Sequence, residues 1–245
     1  MSDPSCNPLA LPGKRGYHEV MNERSVVTMR EEEKIFQEKL FNNQCPELKQ
    51  IKAQTHEANR RVNQLPEWDP QREEILRGMF GAIGRTFHFV GPVYINYGTH
   101  TFIGENFFAN FNFTVMDDAR VFIGDNVAIG PNVSLLATNH PLIAQERMGL
   151  DAAGNTTLAE YARDIHIGDN VWLAANVCVT DGVTIGDGAV IGAGSVVTRD
   201  IPAGCLAVGV PCRPLRQITE ADSCRDRLLA EDADFFRHNF AGSGE

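Results

Sequence analysis

The chain contains 245 residues, of which 43% are hydrophobic and 22% are charged, so it can bury a sizeable core and is too apolar for wholesale disorder. Its formal net charge of −10 at pH 7 argues against a nucleic-acid-binding protein, because that role needs a basic surface. The apolar runs are far shorter than the roughly 18 to 20 residues that span a bilayer. The N-terminus also lacks a signal-peptide pattern. We therefore expect no membrane association and a cytoplasmic location.

The distribution of cysteines also agrees with a cytoplasmic location. The six cysteines are scattered along the chain and include no Cys-x-x-Cys pair. Neither a disulfide framework nor a structural zinc site is therefore predicted, and reduced thiols are expected.

The segment ahead of the repeats described below is predicted to begin with a helix. Residues 1–27 are expected to be flexible, as terminal segments often are. Thr28 and Glu31 form a capping-box pattern that opens the helix. Its apolar side is predicted to consist of Ile35, Phe36, Leu40 and Phe41.

A further helix is predicted near residue 70. Asp69 followed by Pro70 is a typical helix start, and Gly84 is the expected stop. The inward residues of this helix are predicted to be Ile75, Leu76, Met79, Phe80 and Ile83. Residues 28–84 are therefore interpreted as a helical cap.

A six-residue period dominates the second half of the chain. Aliphatic residues recur at every sixth position, as Ile167, Leu173, Val179, Ile185, Ile191 and Val197. Glycine follows several of them, and we interpret it as supplying backbone conformations closed to larger residues. Each unit would form a short strand and a turn, and stacked coils would share one continuous core. The repeat predicts a mainly β protein built as a parallel β-helix.

The β-helix is assigned to residues 85–218, with an aperiodic loop at 136–164. A long aperiodic insert in a solenoid is usually functional or disordered. After the repeats, Thr219 and Asp222 are predicted to cap a C-terminal helix, so that residues 219–245 form a helical extension and tail. That helix would carry Leu228, Leu229, Phe235 and Phe236.

Several motifs are shared with a known family. They are NFFANFNFTVMDDARVFIGDNVAIGPNVSLLATNHP, IGDNVWLAANVCVTDGVTIGDGAVIGAGSVVTRDIPAG, GVPCRPLRQI and, in the cap, LPEWDPQREEILRGMFGAIG. Over about residues 31–218 the chain closely resembles the maltose and galactoside O-acetyltransferases of the hexapeptide-repeat class. The resemblance implies a left-handed β-helix and transfer of acetyl from acetyl-CoA to a sugar hydroxyl. It also implies a homotrimer whose active sites lie between neighbouring subunits.

The resemblance assigns the catalytic residues. His140, in the TNHP segment, matches the family's catalytic histidine. An imidazole is suited to take the proton of a hydroxyl as its oxygen attacks a thioester. Glu160 resembles a family glutamate close to that histidine, where a carboxylate could orient the ring. Nothing in the sequence marks an activated nucleophile, so direct transfer is predicted rather than an acetylated enzyme.

The acceptor site is assigned in the same way. Asn110 and Asp118 match positions that hold the hydroxyls of the acceptor, and an amide with a carboxylate is suited to binding a polyol. Asn96 and Lys52 complete the expected site, with Lys52 standing where the family often has arginine. Cys45 stands where the family often has aspartate. These departures leave the identity of the sugar open.

The expected site for acetyl-CoA combines an aromatic residue, backbone amides and arginines. Trp172 matches the family's tryptophan beside the thioester, and the amides of Ala174 and Ala175 are candidates for an oxyanion hole. Arginine forks suit phosphate oxygens. The arginines that match the family's phosphate-binding positions are Arg199, Arg213 and Arg216.

Three alternatives remain open at the level of sequence. The acceptor could be an amine or an antibiotic hydroxyl, although the cap resembles that of the sugar enzymes. The β-helix could also be a non-catalytic scaffold that binds a sugar or a partner. A metalloenzyme resembling the solenoid carbonic anhydrases is disfavoured, because the seven histidines include no His-x4-His pair, and no metal is expected.

Overall fold

The computed structural model describes residues 29–240, so the N-terminal segment predicted to be flexible, Thr28 and the terminal GSGE lie outside the described residues. The helices are α1 (Glu31–Ile35), α2 (Pro46–Gln64), α3 (Pro70–Met79), α4 (Ala144–Arg147) and α5 (Arg225–Phe240). The strands are β1 (Ala82–Ile83), β2 (Phe87–Phe89), β3 (Val93–Ile95), β4 (Thr101–Ile103), β5 (Phe107–Ala109), β6 (Phe113–Met116), β7 (Val121–Ile123), β8 (Ala128–Ile129), β9 (Ser134–Leu136), β10 (Thr138–Asn139), β11 (Met148–Leu150), β12 (Thr156–Leu158), β13 (Tyr161–Ala162), β14 (Ile165–Ile167), β15 (Trp172–Leu173), β16 (Cys178–Thr180), β17 (Thr184–Ile185), β18 (Val190–Ile191), β19 (Val196–Val197), β20 (Cys205–Val208) and β21 (Arg213–Gln217).

Most strands stack into three sheets that form the faces of a triangular prism. The first face has the order β1-β4-β7-β14-β17, and the second has β2-β5-β8-β15-β18-β20-β21. The third face contains β3, β6, β9, β16 and β19. Pairing along the stack is parallel, except that β21 runs antiparallel to β20. The predicted mainly β, parallel β-helix is confirmed.

The six-residue series forms the core of the prism. Ile167, Leu173, Val179, Ile185, Ile191 and Val197 are all buried, as are Ile165, Val171 and Val177 of the companion series. Successive side chains of a strand point to opposite sides, so each short strand places its aliphatic residues inside and the intervening residue outside. The period therefore determines which residues face the core and which lie on the outer surface, where they can contact ligands.

The glycines that follow the aliphatic residues of the repeat have a different role from the one predicted. Gly104, Gly124 and Gly168 do not have positive φ, whereas Asn106 and Asn126, two residues further on, do. A Cβ added at Gly124 would lie 2.8 Å from the carbonyl carbon of Gly168 in the next coil. These glycines allow adjacent coils to approach closely, whereas the left-handed positions of the turns are taken by asparagines and by other glycines such as Gly188 and Gly194.

Gly124→Ala is therefore expected to destabilise the β-helix. A buried overlap of this kind typically costs about 1–3 kcal/mol, or roughly 2–4 °C in Tm for each kcal/mol in a chain of this size. Gly149→Ala is the matched control, because a Cβ at Gly149 meets nothing within 4 Å. Thermal unfolding followed by circular dichroism should separate the two variants, and equal Tm values would contradict the close-approach explanation.

The cap is attached through hydrogen bonds as well as through apolar side chains such as Leu48 and Val62. The Asn59 side chain donates to the carbonyl of Ile95 at 2.7 Å and accepts from its amide at 3.2 Å. Asn63 makes the same pair of bonds to Val93, at 2.8 and 2.9 Å. One turn earlier, Thr55 Oγ1 donates to the carbonyl of Tyr97 at 2.6 Å. Three polar residues on one face of α2 thus form hydrogen bonds with backbone groups of β3 and of Tyr97 just after it. These groups lie at an open sheet edge and would otherwise be unpaired.

Sequence analysis did not identify α2 and placed the ends of two other helices wrongly. The buried face of α2 places Thr55 and Asn59 between Leu48 and Val62, and these polar residues interrupt the apolar period that predicts a helix. The first helix ends at Ile35, and Leu40 is exposed, because the chain turns through a positive φ at Glu38. The helix capped by Asp69 ends at Met79. Ile83 belongs to β1, the first strand of the solenoid, and Gly84 is a close-approach glycine rather than a helix stop.

The segments outside the repeat are ordered by local pairing. Within the insert, β10 pairs antiparallel with β13, and β11 pairs antiparallel with β12 to form a hairpin preceded by α4. Thr219 and Asp222 do form a capping box, but it closes a short 3-10 turn (Glu220–Asp222). The C-terminal helix α5 begins after it, at Arg225, and buries no residue.

Candidate active site

His140 lies at the end of β10, at the base of the insert. Its Nδ1 is 2.9 Å from the carbonyl oxygen of Ala159, across the β10–β13 pair. A carbonyl can only accept a hydrogen bond, so Nδ1 carries a proton, and within residues 29–240 no partner is recorded for Nε2. The ring is half-buried. This arrangement fixes the tautomer that a general base requires.

A polar network holds the backbone of His140. The His140 amide donates to Asn139 Oδ1 at 2.8 Å, and Asn139 Nδ2 donates to Asp181 Oδ1 at 3.0 Å. The other oxygen of the buried Asp181 accepts from Arg163 Nε at 2.7 Å. The pair with Asp181 raises the pKa of Arg163, so its charge is firmly retained. Sequence analysis missed this network, whose members are far apart in the chain.

Glu160 does not orient the imidazole as predicted. The neighbouring carbonyl of Ala159 does so, and the Glu160 carbonyl accepts from the amide of Phe41, in the cap, at 3.2 Å. The Glu160 side chain is buried, and its Oε2 has no hydrogen-bond partner among residues 29–240. Antiparallel pairing of β10 with β13 places the carbonyl of Ala159, rather than the side chain of Glu160, against the ring of His140. The Glu160 carboxylate is therefore available for another partner.

Asp118 and Asn96 lie together at the corner between the third and first faces. Asn96 follows β3 and Asp118 follows β6, and both are buried. The amide nitrogen of Asn96 is 3.4 Å from each carboxylate oxygen of Asp118. Burial, followed by the negative charges of Glu160 and Asp117, raises the pKa of Asp118 to about 7. Among residues 29–240, the buried carboxylate of Asp118 thus has two recorded hydrogen bonds, both long and both from the same nitrogen of Asn96.

The adjacent Asp117 differs sharply from Asp118. Its oxygens accept from the amides of Tyr97 and Gly98 at 2.7 and 2.8 Å and from Thr101 Oγ1 at 2.8 Å. Because its oxygens are bonded to these three donors, the Asp117 carboxylate stabilises the preceding coil. The MDDA motif therefore contains one structural carboxylate and one that can bind a ligand.

Lys52 extends from α2 towards this corner. Its ammonium donates to the carbonyl of Asn43 at 3.1 Å and lies 5.5 Å from the ring centre of Tyr97. Its positive charge lowers the pKa of Asp118, opposing the burial effect. The structure thus groups Lys52, Asn96, Asp118 and Glu160, three of which sequence analysis assigned to the acceptor.

Asn110 lies at a different corner of the prism. It follows β5, between the second and third faces, and its Oδ1 accepts from the amide of Phe111 at 2.8 Å. The structure records no contact between Asn110 and the group of residues around Asp118 in the described chain. One subunit therefore does not bring all predicted acceptor residues together.

Trp172 is 52% exposed on the outside of the second face. Cα pairing runs from Trp172 to Val190, from Val190 to Leu206 and from Leu206 to Arg216. Adjacent strands lie about 4.8 Å apart, so Trp172 and Arg216 stand about 14 Å apart on one outer surface. A straight track thus joins an exposed aromatic ring to an arginine.

Two of the predicted arginines share that surface because of a bulge. Arg213 pairs with Val208 and Arg216 with Leu206, with a register shift between Leu206 and Ala207. Without the shift, a spacing of three would place the arginines on opposite sides of β21. Arg216 forms a two-bond ion pair with Asp222 at 2.6 and 2.7 Å. Arg199 is exposed but follows β19 on the third face, away from this track.

Only one of the two predicted oxyanion-hole amides is available. The Ala174 amide donates to the carbonyl of Ile191 at 2.9 Å as part of the coil-to-coil ladder, so its prediction as an oxyanion donor is wrong. No acceptor within residues 29–240 is recorded for the amide of Ala175, in the turn that follows. The oxyanion assignment therefore narrows to Ala175.

Two other kinds of feature, a membrane-spanning helix and a metal site, are absent from the described residues. No helix between residues 29 and 240 is long and apolar enough to cross a membrane. The same part of the chain contains no group of three or more histidine, cysteine or acidic side chains that could hold a metal ion.

Two family models match the chain. Residues 34–84 match the maltose acetyltransferase hexapeptide capping motif, and residues 164–199 match the bacterial transferase hexapeptide model. The first covers the helices that seal the edge of β3. The second covers the coils that carry Trp172.

Similar proteins match over most of their length. Galactoside O-acetyltransferase of Escherichia coli (strain K12) is 42% identical over 194 residues, or 78% of this chain and 90% of that protein. A galactoside acetyltransferase solved in complex with coenzyme A has a TM-score of 0.72 at 41% identity, covering 80% of this chain and 94% of that one. A maltose O-acetyltransferase from Clostridium difficile 630 has a TM-score of 0.72 at 39% identity, covering 78% and 99%. The chain therefore belongs to the galactoside and maltose O-acetyltransferase family, the acyltransferases of the hexapeptide-repeat class.

Proposed function

We propose that this protein transfers acetyl from acetyl-CoA directly to a hydroxyl of a sugar or sugar-like acceptor. The observation that carries the proposal is the state of His140. Its Nδ1 is bound to a carbonyl, and no partner for its Nε2 is recorded in the described part of the chain. The strand order places it at the same corner of the prism as the buried Asp118 and Asn96. A fixed base beside a polar, water-excluding corner suits the deprotonation of a hydroxyl.

The second face fits acetyl-CoA. A flat outer track runs from Trp172 to Arg216, and the bulge in β20 and β21 adds Arg213 on the same side. An aromatic ring at one end and arginine forks at the other suit a long ligand with phosphates at one end. Arg216 must share or exchange its bond to Asp222 on binding. Arg199, on another face, would have to reach the cofactor of a neighbouring subunit.

Each residue has a definite task in the proposed reaction. Acetyl-CoA supplies the activated acetyl group. Asp118 and Asn96 hold hydroxyls of the acceptor, and Lys52 and Glu160 complete the walls of that corner. Nε2 of His140 takes the proton from the attacking hydroxyl, and the same nitrogen can return it to the departing sulfur. The amide of Ala175 is directed at developing negative charge on the acetyl oxygen.

A homotrimer is part of the proposal, because one subunit separates the required groups. His140 and Asp118 lie at the corner between the third and first faces, whereas Asn110 and Trp172 lie along the second face. A neighbouring prism that places its second face against this corner would complete the site, and a cleft between prisms would give it depth. The left hand of the β-helix, taken from the family, belongs to the same proposal.

A cytoplasmic location is also proposed. Cys45, Cys178, Cys205, Cys212 and Cys224 are all free thiols. Burial raises the pKa of Cys178, Cys205 and Cys212, which makes these thiols less reactive. Reduced, unreactive cysteines are typical of a reducing compartment.

The direct test is release of coenzyme A from acetyl-CoA against a panel of galactosides, glucosides, maltose, glucosamine derivatives and amines. Mass spectrometry of the products is preferable to a thiol dye, because the exposed thiol of Cys224 would react with the dye. We expect acetylated sugars and no acetylated enzyme. Turnover of amines alone would favour an N-acetyltransferase, and failure to bind acetyl-CoA would favour a non-catalytic scaffold.

Arg213→Ala is expected to raise the KM for acetyl-CoA about 10- to 100-fold with little change in kcat. The loss of one charge-assisted phosphate contact of about 1.5–3 kcal/mol accounts for that size. Arg227→Ala, which removes an exposed arginine on α5 paired with Glu231, is the matched control. Steady-state kinetics at saturating acceptor measure both variants, and an unchanged KM for Arg213→Ala would remove it from the phosphate site.

A further inference from the structure

Asn96 connects His56 on α2 with Asp118 at the acceptor corner. The nitrogen of its side-chain amide is 3.4 Å from each carboxylate oxygen of Asp118, and the amide oxygen is 3.2 Å from Nε2 of His56. Asn96 and Asp118 are buried, whereas His56 is exposed. An amide oxygen only accepts hydrogen bonds, so Nε2 of His56 donates to it in this arrangement. The three side chains thus form a chain of hydrogen bonds that runs from α2 into the corner.

A reversed chain of hydrogen bonds would satisfy the same atoms. The two ends of a side-chain amide have nearly the same shape, so only its partners decide which end faces Asp118. If the amide turned over, a protonated Asp118 would donate to its oxygen, and its nitrogen would donate to an unprotonated Nε2 of His56. Burial, followed by the charges of Glu160 and Asp117, raises the pKa of Asp118 to about 7, so both forms of that carboxyl are accessible near neutral pH. The donor on His56 therefore selects between the two arrangements.

The two arrangements differ in what the corner offers to a hydroxyl. In the arrangement of the structure, Asp118 is a carboxylate that receives hydrogen bonds from Asn96 and has lone pairs left for a further donor. In the reversed arrangement, the proton of Asp118 is used on Asn96, and the corner offers no ionised acceptor. Hydrogen bonds to an ionised group are the stronger kind, so a hydroxyl binds more tightly to the first arrangement.

We propose that His56 is a positioning residue, which by its hydrogen bond to Asn96 keeps Asp118 in the ionised form that binds a hydroxyl of the acceptor. The inference rests on the proposed function, because that proposal places the acceptor at Asp118 and Asn96. The titratable and charged groups that face Asp118 are Lys52 on α2, Tyr97 after β3, His100 before β4, Asp117 beside it and Glu160 in the insert. These groups are the same in the wild type and in variants at His56.

His56→Phe is expected to raise the KM for the sugar about three- to tenfold, the size of one ordinary hydrogen bond, with kcat and the KM for acetyl-CoA within about twofold. His56→Gln keeps an N–H donor and should recover most of the loss. Arg60→Ala is the matched control, because Arg60 lies one turn further along α2 and its recorded hydrogen bonds within residues 29–240 are to Glu57 and Gln64. Kinetics with the acceptor varied at saturating acetyl-CoA measure all three variants.

A double-mutant cycle tests whether His56 acts through Asn96. In an Asn96→Ala background, His56→Phe should not change the acceptor KM further, because the side chain that carries its effect is missing. Equal losses from His56→Phe in both backgrounds would overturn the proposal, since they would indicate a direct contact with the sugar or a general disturbance of α2. An unchanged acceptor KM for His56→Phe in the wild-type background would overturn it as well.

A second measurement does not depend on turnover. The hydrogen bond from Asn96 lowers the pKa of Asp118, so loss of that bond in His56→Phe should raise this pKa further. The decline in stability as the pH rises from 4.5 to 9 should then continue to a higher pH in His56→Phe than in His56→Gln. Both variants lack the imidazole, so the difference between their denaturant titrations reports the donor alone. If no sugar is acetylated, the proposed function fails, and this comparison still decides about His56: a difference in that direction supports its role, and superimposable curves overturn it.

Discussion

His140→Ala is expected to reduce kcat by a factor of about 10²–10⁴ while the KM for acetyl-CoA stays within about twofold. General bases contribute about this much when they are positioned and in the correct protonation state. The bond from Nδ1 to the carbonyl of Ala159 fixes the position and the tautomer of the ring. The other imidazoles at this corner have different partners: His56 is bonded to Asn96, and His100 to the backbone carbonyls of Asp117 and Asp118. Single-turnover and steady-state kinetics separate the chemical step from binding.

His166→Ala is the matched control for this variant. His166 is exposed on the outside of the first face, where its ring stacks on Phe122 at 4.8 Å. Its loss should leave kcat within about twofold. Equal losses in kcat and in affinity for acetyl-CoA for His140→Ala would instead indicate a collapsed loop, because the ring also ties β10 to the segment around Ala159.

Asp118→Asn is expected to lower kcat/KM for the sugar about 10- to 100-fold, mainly through KM. Replacing a charged acceptor by a neutral amide removes a hydrogen bond worth about 1.5–3 kcal/mol. The acetyl-CoA KM should not change, because Asp118 lies at the corner and not on the second face. Kinetics with the acceptor varied at saturating acetyl-CoA test this, and an unchanged acceptor KM would contradict the assignment.

The same substitution should increase stability at high pH. Because the pKa of Asp118 is raised to about 7 in the folded chain, the folded state holds a proton that the unfolded state loses near pH 4. The stabilisation from that proton is complete below about pH 4 and is lost as the pH rises through 7. By pH 8 the loss reaches about 4 kcal/mol in the wild type. Asp118→Asn should not show this loss.

Denaturant titrations between pH 4.5 and 8 measure that difference. Asp222→Asn is the control, because the ion pair with Arg216 lowers the pKa of Asp222 to about 2, outside this range. The control should show the same decline as the wild type. Parallel stability curves for wild type and Asp118→Asn would contradict a raised pKa and weaken the view of Asp118 as a carboxylate kept available for a ligand.

The sequence by itself determined the solenoid and its inside. A six-residue period and the two-residue alternation of strands are local properties, so Ile167, Leu173 and Val179 could be assigned to the core without any knowledge of their neighbours. Motif order was sufficient to identify the family and to single out His140 and Asp118. These predictions depend on which residue follows which along the chain.

Only the tertiary structure decided how the site residues are used. Ala174 and Ala175 are neighbours with identical side chains, yet one amide is bonded to Ile191 and the other is not. Asp117 and Asp118 are likewise adjacent, and their partners differ because one points at the turn around Gly98 and the other at Asn96.

The roles of helix α2 and of the insert that follows His140 were also decided only by the tertiary structure. The polar face of α2 has a purpose only against the open edge of β3, and His140 is oriented by a carbonyl 19 residues away rather than by Glu160. Hydrogen-bond partners in a solenoid are set by the register between coils, and that register depends on the whole stack and on the insert between β9 and β14. A local pattern fixes which side of a strand a residue faces, whereas its partner is fixed by packing.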